Sequence, residues 1–147
     1  MPNLTALGFD FGLKRIGVAV GQTITYTAAP LEILSAVNGL PNPQELEKLI
    51  KTWRPNIIVV GMPYNEDGSS QELSELAEQF AQKLKNQFQQ KYNLTVVTMD
   101  ERYSSLEAQQ KFTELRQNNL IKKGAKIDHI AACVILERWL STHRSSL

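Results

Sequence analysis

The feature that most constrains this chain is an aspartate placed inside an apolar strand that turns immediately on glycine. Asp10 stands between Phe9 and Phe11 in the segment LGFDFGLKRIGVAV, residues 7–20. A carboxylate inside an apolar run loses hydration free energy unless a partner compensates for that loss. Because a second apolar strand follows the glycine turn, the segment predicts a β-hairpin with a carboxylate at the mouth of a sheet. Such a position suits a metal ion and a phosphate.

Length and composition predict one domain that spans residues 1–147. A chain of 147 residues that is 42% hydrophobic is large enough to bury a proper core. Its net charge of +1 gives no global basic field that would attract nucleic acid. Basic residues nevertheless outnumber acidic residues between positions 111 and 147, which predicts a local basic surface in the C-terminal third.

The cysteine content and the N-terminal residues bear on the cellular compartment. Cys133 is the only cysteine, so no disulfide forms within the chain. Its apolar helical neighbours favour a small packed hydrophobic residue over a catalytic thiol. The residues after Met1 form a predicted strand without a basic leader, and no membrane-spanning segment is visible. We therefore expect a cytoplasmic protein without a membrane partner.

Hydrophobic patterning predicts five strands. They cover residues 4–11, 16–22, 26–34, 56–60 and 94–99. The first three are close in sequence and are expected to pair antiparallel, whereas the last two need helical crossovers and are expected to be parallel. Pro30 would restrict part of the third strand to a sheet edge.

Apolar residues at helical spacing predict four helices between and after these strands. The boundary signals are Pro55 after the first helix, the capping pairs Ser69–Glu72 and Ser104–Glu107 before the second and third, and Ile127 near the start of the last. The predicted fold class is therefore α/β, with a mixed five-stranded sheet, three antiparallel strands followed by two parallel ones, and helices on both faces.

Three acidic residues interrupt or end an apolar element where a cleft is expected. Asp10 lies in the first strand, Glu101 follows the last strand, and Asp128 opens the last helix. Ligand sites in open sheets gather at the carboxyl ends of parallel strands. We therefore expect Asp10 and Glu101 to converge there and Asp128 to approach from its helix, while Asp100 is interpreted as a turn residue.

Three carboxylates in one cleft repel one another unless cations join them. Two Mg²⁺ or Mn²⁺ ions about 3.5–4 Å apart would relieve this repulsion and contact both the attacking and the leaving oxygen of a phosphodiester. Simpler roles are also open, because Asp128 is a suitable helix N-cap and Glu101 is a suitable partner for Arg102. The combination with the glycine turn, and no single residue, favours a metal-dependent nuclease.

Six further residues are candidates for substrate binding. They are Lys14 and Arg15 in the hairpin turn, Asn65 in the loop of residues 61–69, Arg102 beside Glu101, and Lys122 and Lys123 in the basic loop of residues 117–126. Lysine and arginine suit phosphate oxygens, and a loop that leads into a helix N-terminus is a ready anion site. Solvated turns and loops explain the same residues, so both interpretations stay open at this point.

Four sequence blocks, in order, resemble the YqgF (RuvX) family of the ribonuclease H-like superfamily. The blocks are residues 8–19, residues 59–65 with 67–69, residues 100–105 and residues 127–132. The resemblance implies a ribonuclease H-like fold and a nuclease that trims the 5′ end of precursor 16S ribosomal RNA, and it matches Asp10, Glu101 and Asp128. Family members often carry Ser-Asp where this chain has Gly21-Gln22, so no further acidic ligand is expected there.

The sequence leaves other functions open. A sugar-kinase or chaperone-type ATPase shares an Asp-x-Gly hairpin, but it binds ATP between two domains and this chain is too short for a second one. A Holliday junction resolvase-like DNA endonuclease would cut branched DNA, and a non-catalytic RNA-binding module would bind no metal at the carboxylates. We favour a metal-dependent nuclease acting on precursor ribosomal RNA. Ribosomal particles are a further expected partner, and the expected oligomeric state is a monomer or a weak dimer.

Overall fold

The structure is a computed structural model that describes residues 4–25, 27–62, 71–100 and 127–142. Its elements are β1 (Thr5–Asp10), β2 (Arg15–Gln22), β3 (Thr27–Val37), β4 (Leu40–Pro41), α1 (Pro43–Trp53), β5 (Ile57–Met62), α2 (Gln71–Leu84), β6 (Thr95–Asp100) and α3 (Ile127–Thr142). A π-helical turn, Lys85–Gln89, follows α2. The predicted helix capped by Ser104, the cap at Ser69 and the loop of residues 117–126 lie outside the described residues.

The described strands form a six-stranded mixed sheet in the order β4-β3-β2-β1-β5-β6. Strands β1, β2 and β3 pair antiparallel, and β1, β5 and β6 are parallel, which confirms the predicted orientations. The predicted number of five strands was wrong. Asn38 and Gly39 have φ angles of 54° and 81° and close a two-residue hairpin turn, so the chain returns as the short strand β4.

Strand β3 is longer than its sequence pattern indicates and contains a bulge. Val18 pairs with Glu32 whereas Ala19 pairs with Pro30, which leaves Leu31 as the extra residue. The far side of β3 is paired by β4 only at Ala36 and Val37. Among the described strands, Pro30 therefore lies in the part of the edge strand that β4 does not pair, as the sequence predicted.

Side chains of the central strands alternate between two apolar layers, so helices cover both faces as predicted. Large strand side chains on one face pack against α1 and α2. The strand residues include Leu7, Phe9, Ile58 and Val60, and the helix residues include Leu49, Ile50, Phe80 and Leu84. Small residues on the other face, Ala6 and Ala19 among them, pack beneath α3 with Ala132, Cys133 and Leu136. Cys133 is buried in this second layer, which agrees with the interpretation of a small hydrophobic residue.

Glycines allow α3 to approach the sheet closely, and the helix residues that lie over each glycine show in which direction α3 runs. A Cβ atom on Gly8 would lie 2.9 Å from the Cβ of Leu136 and 3.0 Å from the carbonyl oxygen of Ala132. Gly21, which pairs with Ala6, instead faces Leu136 and Leu140. Helix α3 therefore runs antiparallel to β1, and its first turn lies toward the carboxyl end of that strand.

Helix α1 begins and ends on local signals. The side chain of Asn42 accepts hydrogen bonds from the backbone N–H groups of Gln44 and Glu45, at 2.8 and 3.1 Å. Arg54 ends the helix in the left-handed conformation, directly before Pro55. Among the described helices, none is long and apolar enough to cross a membrane.

Candidate active site

Asp10 lies at the edge of the sheet where the parallel strands end. It pairs with Gly61 of β5, and Gly61 pairs with Met99 of β6. Adjacent strands are about 4.8 Å apart, so the backbone of β6 at the level of Asp10 is about 10 Å away. Strand β6 ends at Asp100, and the next residue in the sequence is Glu101, which lies outside the described residues.

The side chain of Asp10 lies on the α3 face of the sheet. Side chains alternate along a strand, so Asp10 shares the face of Ala6 and Gly8, both of which meet the layer beneath α3. It is partly buried, while its neighbours Phe9 and Phe11 are buried on the opposite face. The desolvation expected of an aspartate in an apolar strand is therefore limited by its place at the strand end.

Glycine lies opposite Asp10 on both neighbouring strands. Gly17 of β2 and Gly61 of β5 are its two register partners. Directly opposed residues place their side chains next to one another on one face, so Asp10 has no opposed side chain on either strand. The two register partners therefore place no side chain between Asp10 and the next strands, so they do not contribute a charged or bulky group to the surroundings of its carboxylate.

The first turn of α3 brings the backbone of Asp128 to the level of Asp10. Asp128 is one helical turn before Ala132, a rise of about 6 Å. Asp10 is two strand residues beyond Gly8, a distance of about 6.7 Å. Because Gly8 faces Ala132 and α3 is antiparallel to β1, the backbone of Asp128 and that of Asp10 come to one edge on the same side of the sheet.

The basic turn between β1 and β2 is fixed by its neighbours. The backbone N–H of Ala36 donates to the carbonyl oxygen of Lys14 at 2.8 Å, and that of Gly39 donates to the carbonyl oxygen of Leu13 at 2.9 Å. A Cβ atom on Gly12 would lie only 2.4 Å from the Arg15 carbonyl oxygen, so the tight turn needs glycine there. Lys14 and Arg15 are both exposed beside the Asp10 edge.

The remaining predicted site residues belong to undescribed parts of the chain. Glu101, Asn65, Arg102, Lys122 and Lys123 lie outside the described residues, and only the backbone of Asp128 is described. Within residues 4–25, 27–62, 71–100 and 127–142, no group of three or more His, Cys, Asp and Glu residues forms a metal site. The structure thus brings Asp10, Lys14, Arg15 and the Asp128 backbone to one edge.

Sequence reasoning missed the two glycines that flank Asp10. Gly61 was recognised only as the end of a strand, and Gly17 only as part of an apolar run. The signal that reveals them is the pairing register, in which both fall opposite the same carboxylate.

The pKa shifts resolved among the described residues lie in a cluster remote from Asp10. The Lys91 ammonium lies 2.7 Å from Glu47 and, with the Tyr92 hydroxyl, donates hydrogen bonds that lower the pKa of the Glu47 carboxyl. The same hydrogen bonds to Glu47 raise the pKa values of Lys91 and Tyr92. This cluster joins α1 to the segment that precedes β6, so its role is in packing rather than in the site.

Comparison with known sequences connects almost the whole chain to one family. Residues 4–142 match the RuvX family, which is described as Holliday junction resolvase. A Coxiella burnetii protein named "Putative pre-16S rRNA nuclease" is 46% identical over 143 residues, 97% of this chain and 96% of that protein. A Shewanella denitrificans protein with the same name is 44% identical over 137 residues, 93% of this chain and 94% of that protein.

Solved structures show the same fold at low sequence identity. Thermus thermophilus RuvC in complex with a Holliday junction substrate has a TM-score of 0.60 and 16% identity, with 95% of each chain covered. The fowlpox virus resolvase in complex with Holliday junction DNA has a TM-score of 0.56 and 12% identity, covering 95% of this chain and 98% of that one. These similarities confirm the predicted ribonuclease H-like class.

Proposed function

The chain belongs to the RuvX family, and from that premise we propose that it is a nuclease that hydrolyses phosphodiester bonds and processes the 5′ end of precursor 16S ribosomal RNA. The observation that carries the proposal is the placement of Asp10 at the carboxyl edge of the parallel strands, on the face where α3 begins. Relatives at 44% and 46% identity that carry the pre-16S nuclease name support the choice of substrate.

We assign Asp10, Glu101 and Asp128 to one acidic centre. Met99, in register with Asp10, packs against the layer beneath α3. Strand alternation continued past Met99 would give Glu101, and not Asp100, the face of Asp10. The backbone of Asp128 lies at the level of Asp10 on that same side. These placements support the proposal that the three carboxylates form one centre.

The donor set fits Mg²⁺ or Mn²⁺. Carboxylate oxygens are the ligands these ions prefer, and Mg²⁺ keeps several of its waters, so a few protein ligands are sufficient. Gly17 and Gly61, the register partners of Asp10, place no side chain of their own against its carboxylate. When bound, divalent ions supply an activated water nucleophile and neutralise the charge that develops on the leaving oxygen.

Five cationic residues, Lys14, Arg15, Arg102, Lys122 and Lys123, are assigned to phosphate or substrate binding. Lys14 offers a point charge and Arg15 a planar fork, and both project from a turn that is fixed to β3. Arg102 follows Glu101 in sequence and would hold a phosphate near the acidic centre. Asn65 and the pair Lys122 and Lys123 are proposed to contact the substrate backbone farther along.

A cleavage assay on two substrates tests the proposed function. The purified protein, with Mg²⁺ or Mn²⁺, is given a labelled precursor 16S RNA fragment and a four-way DNA junction. We expect RNA cleavage at the 5′ side of the mature sequence. Preferential cutting of the junction would instead favour the resolvase alternative, and RNA binding without any cleavage would favour a non-catalytic module.

Two aspartates at strand ends, Asp10 and Asp100, provide a matched pair of variants for this assay. Asp10→Asn should lose roughly 100-fold or more in cleavage rate, because a metal ligand is removed from the centre. Asp100→Asn is the control. Asp100 pairs with Met62 and is one residue beyond Met99, the residue of β6 at the level of Asp10. Undiminished cleavage by folded Asp10→Asn would remove Asp10 from the mechanism.

A further inference from the structure

The β3–β4 hairpin extends beyond the sheet edge that carries Asp10. Asp10 pairs with Gly17, and Gly17 pairs with Ile33 of β3. Strand β3 continues four residues past Ile33 to Val37, which is about 13 Å at 3.3 Å per residue. The hairpin therefore forms a wall along one side of the candidate site, two strands away from Asp10.

This wall presents large apolar side chains to solvent. Val37 and Leu40, which are cross-strand partners, are 74% and 55% exposed, and Leu13 in the adjoining turn is 44% exposed. We call these three residues the apolar tip. Two other large apolar side chains, Ile24 and Trp53, are exposed among the described residues, so the apolar tip holds three of the five. Clustered exposed apolar groups mark a contact surface more often than scattered ones do.

The apolar tip is held rigidly in place. Beneath it, Phe11 is buried so close to Gly39 that a Cβ atom on that glycine would lie 2.5 Å from the Phe11 Cζ atom. The hydrogen bond from the Gly39 N–H to the Leu13 carbonyl oxygen joins the two turns directly. A rigid surface binds with a smaller loss of conformational entropy than a mobile loop does.

Positive charge adjoins the apolar tip. Lys14 follows Leu13 in the same turn, Arg15 is the first residue of β2, and both are exposed. A surface that pairs cations with aliphatic side chains is complementary to a strand whose phosphates and base faces are both accessible. A continuous duplex offers only its phosphates and groove edges, because its base faces are stacked on one another.

We propose that the apolar tip contacts the base faces of unpaired nucleotides next to the cleavage site, while Lys14 and Arg15 hold the adjoining phosphates. This inference rests on the proposed nuclease function and narrows its substrate to nucleic acid with a single-stranded segment beside the scissile bond. Aliphatic wedges can contact base faces in a duplex only after they unstack a base step, which costs a few kcal/mol, whereas unpaired nucleotides offer their base faces without that cost.

Binding of two matched RNAs tests the inference without any need for cleavage. Fluorescence anisotropy in the presence of a chelator compares a blunt RNA hairpin with the same hairpin carrying a single-stranded 5′ extension. The Val37→Ser/Leu40→Ser double variant should bind the extended RNA about tenfold more weakly and the blunt RNA almost as well as wild type does. Its salt dependence should be unchanged, because no charge is removed.

Ile24→Ser is the control, because Ile24 is 62% exposed in the turn after β2, at the opposite edge of the sheet. It should leave binding of both RNAs unaffected. The inference would be overturned if the double variant bound both RNAs more weakly by the same factor, or if it bound both as tightly as wild type does. Neither result would contradict cleavage by the wild-type protein. Failure of wild type to bind either RNA would overturn the proposed function as well.

Sedimentation velocity separates nucleic acid from a second protein molecule as the occupant. We expect wild type and the double variant to show the same state of association. Self-association of wild type that the double variant abolishes would assign the apolar tip to a contact between two copies and would overturn the inference.

Discussion

The ring of Phe80 lies 5.5 Å, centroid to centroid, from the ring of Phe11, the residue that follows Asp10. The same ring lies 5.8 Å from Phe9, which precedes Asp10, in an edge-to-face arrangement at 69°. All three aromatic rings are buried. Helix α2 therefore contacts the residues on both sides of the candidate metal ligand, from the face opposite α3.

We predict that Phe80 positions Asp10. Phe80→Leu should lower kcat about tenfold with little change in KM, because a small shift of a reacting group costs much of the catalytic rate. It should also weaken Mn²⁺ binding measured by calorimetry. Phe88→Leu is the control, since Phe88 is a buried ring that packs against Tyr92 at 5.9 Å and contacts neither flank of Asp10.

Both phenylalanine variants should lose about 1–3 kcal/mol of unfolding free energy, so the comparison is matched for stability. Activity is measured well below both melting temperatures. Equal losses of kcat and Mn²⁺ affinity in the two variants would reduce Phe80 to a packing residue.

The close approach of α3 to β1 depends on Gly8. Gly8→Ala should destabilise the fold by about 1–3 kcal/mol, because the new methyl group would lie 2.9 Å from the Leu136 Cβ atom and 3.0 Å from a backbone oxygen. Urea unfolding measures the change. Ala29→Val, at an exposed position of β3, is the control and should change stability by less than about 0.5 kcal/mol. Unaltered stability of Gly8→Ala would show that α3 has room to move.

The cluster around Glu47 predicts a pH dependence of stability. The hydrogen bonds from Lys91 and Tyr92 lower the pKa of the Glu47 carboxyl from its ordinary value of 4.5. A lowered carboxyl pKa stabilises the fold above the unfolded value, and the stabilisation is lost as pH falls through the folded value. The pKa values of Lys91 and Tyr92 are raised, so their protonated forms stabilise the fold below their unfolded values. This contribution to stability is lost at alkaline pH, as pH rises through the raised values.

Urea midpoints of wild type and Glu47→Gln, measured from acid to neutral pH, check this dependence. The difference between them should be largest near neutral pH and should shrink once pH falls below 4.5. Glu78→Gln, at an exposed position of α2, serves as the comparison for a simple loss of charge. A difference that stays constant over the whole range would contradict the assigned cause.

The basic turn predicts a salt-dependent contribution to RNA binding. Lys14→Ala/Arg15→Ala should weaken binding and flatten the plot of log affinity against log salt by about 0.7 for each single-strand phosphate that the variant no longer neutralises. Lys122→Ala/Lys123→Ala should act in the same sense. The control Lys51→Ala/Lys83→Ala removes two exposed cations, one near the end of α1 and one near the end of α2. These helices lead to the starts of β5 and β6, which lie at the sheet edge opposite Asp10. An equal change of slope in the control would show a general effect of charge.

Apart from β4, the strands and α-helices of the described regions could be predicted from local sequence patterns. The buried run that became β5 and the helix between Asn42 and Pro55 depend on burial period and capping, which a short sequence window contains. Asp10 could be placed at a strand end for the same reason. Strand β4 was missed because its two residues are too few to show any period.

The surroundings of Asp10 could not be predicted in this way. That Gly17 and Gly61 flank it depends on register between strands far apart in sequence. The direction of α3 depends on which residues of the helix meet Gly8 and Gly21. Both are set by the packing of distant segments, which hydrophobic period alone does not specify.

Diffraction from crystals grown with Mn²⁺, recorded at the manganese absorption edge, tests the acidic centre most directly. The account predicts anomalous peaks within about 2–2.5 Å of the Asp10 carboxylate, with Glu101 and Asp128 as further ligands. Manganese ions bound elsewhere, with these three carboxylates on separate faces of the molecule, would contradict the proposed acidic centre.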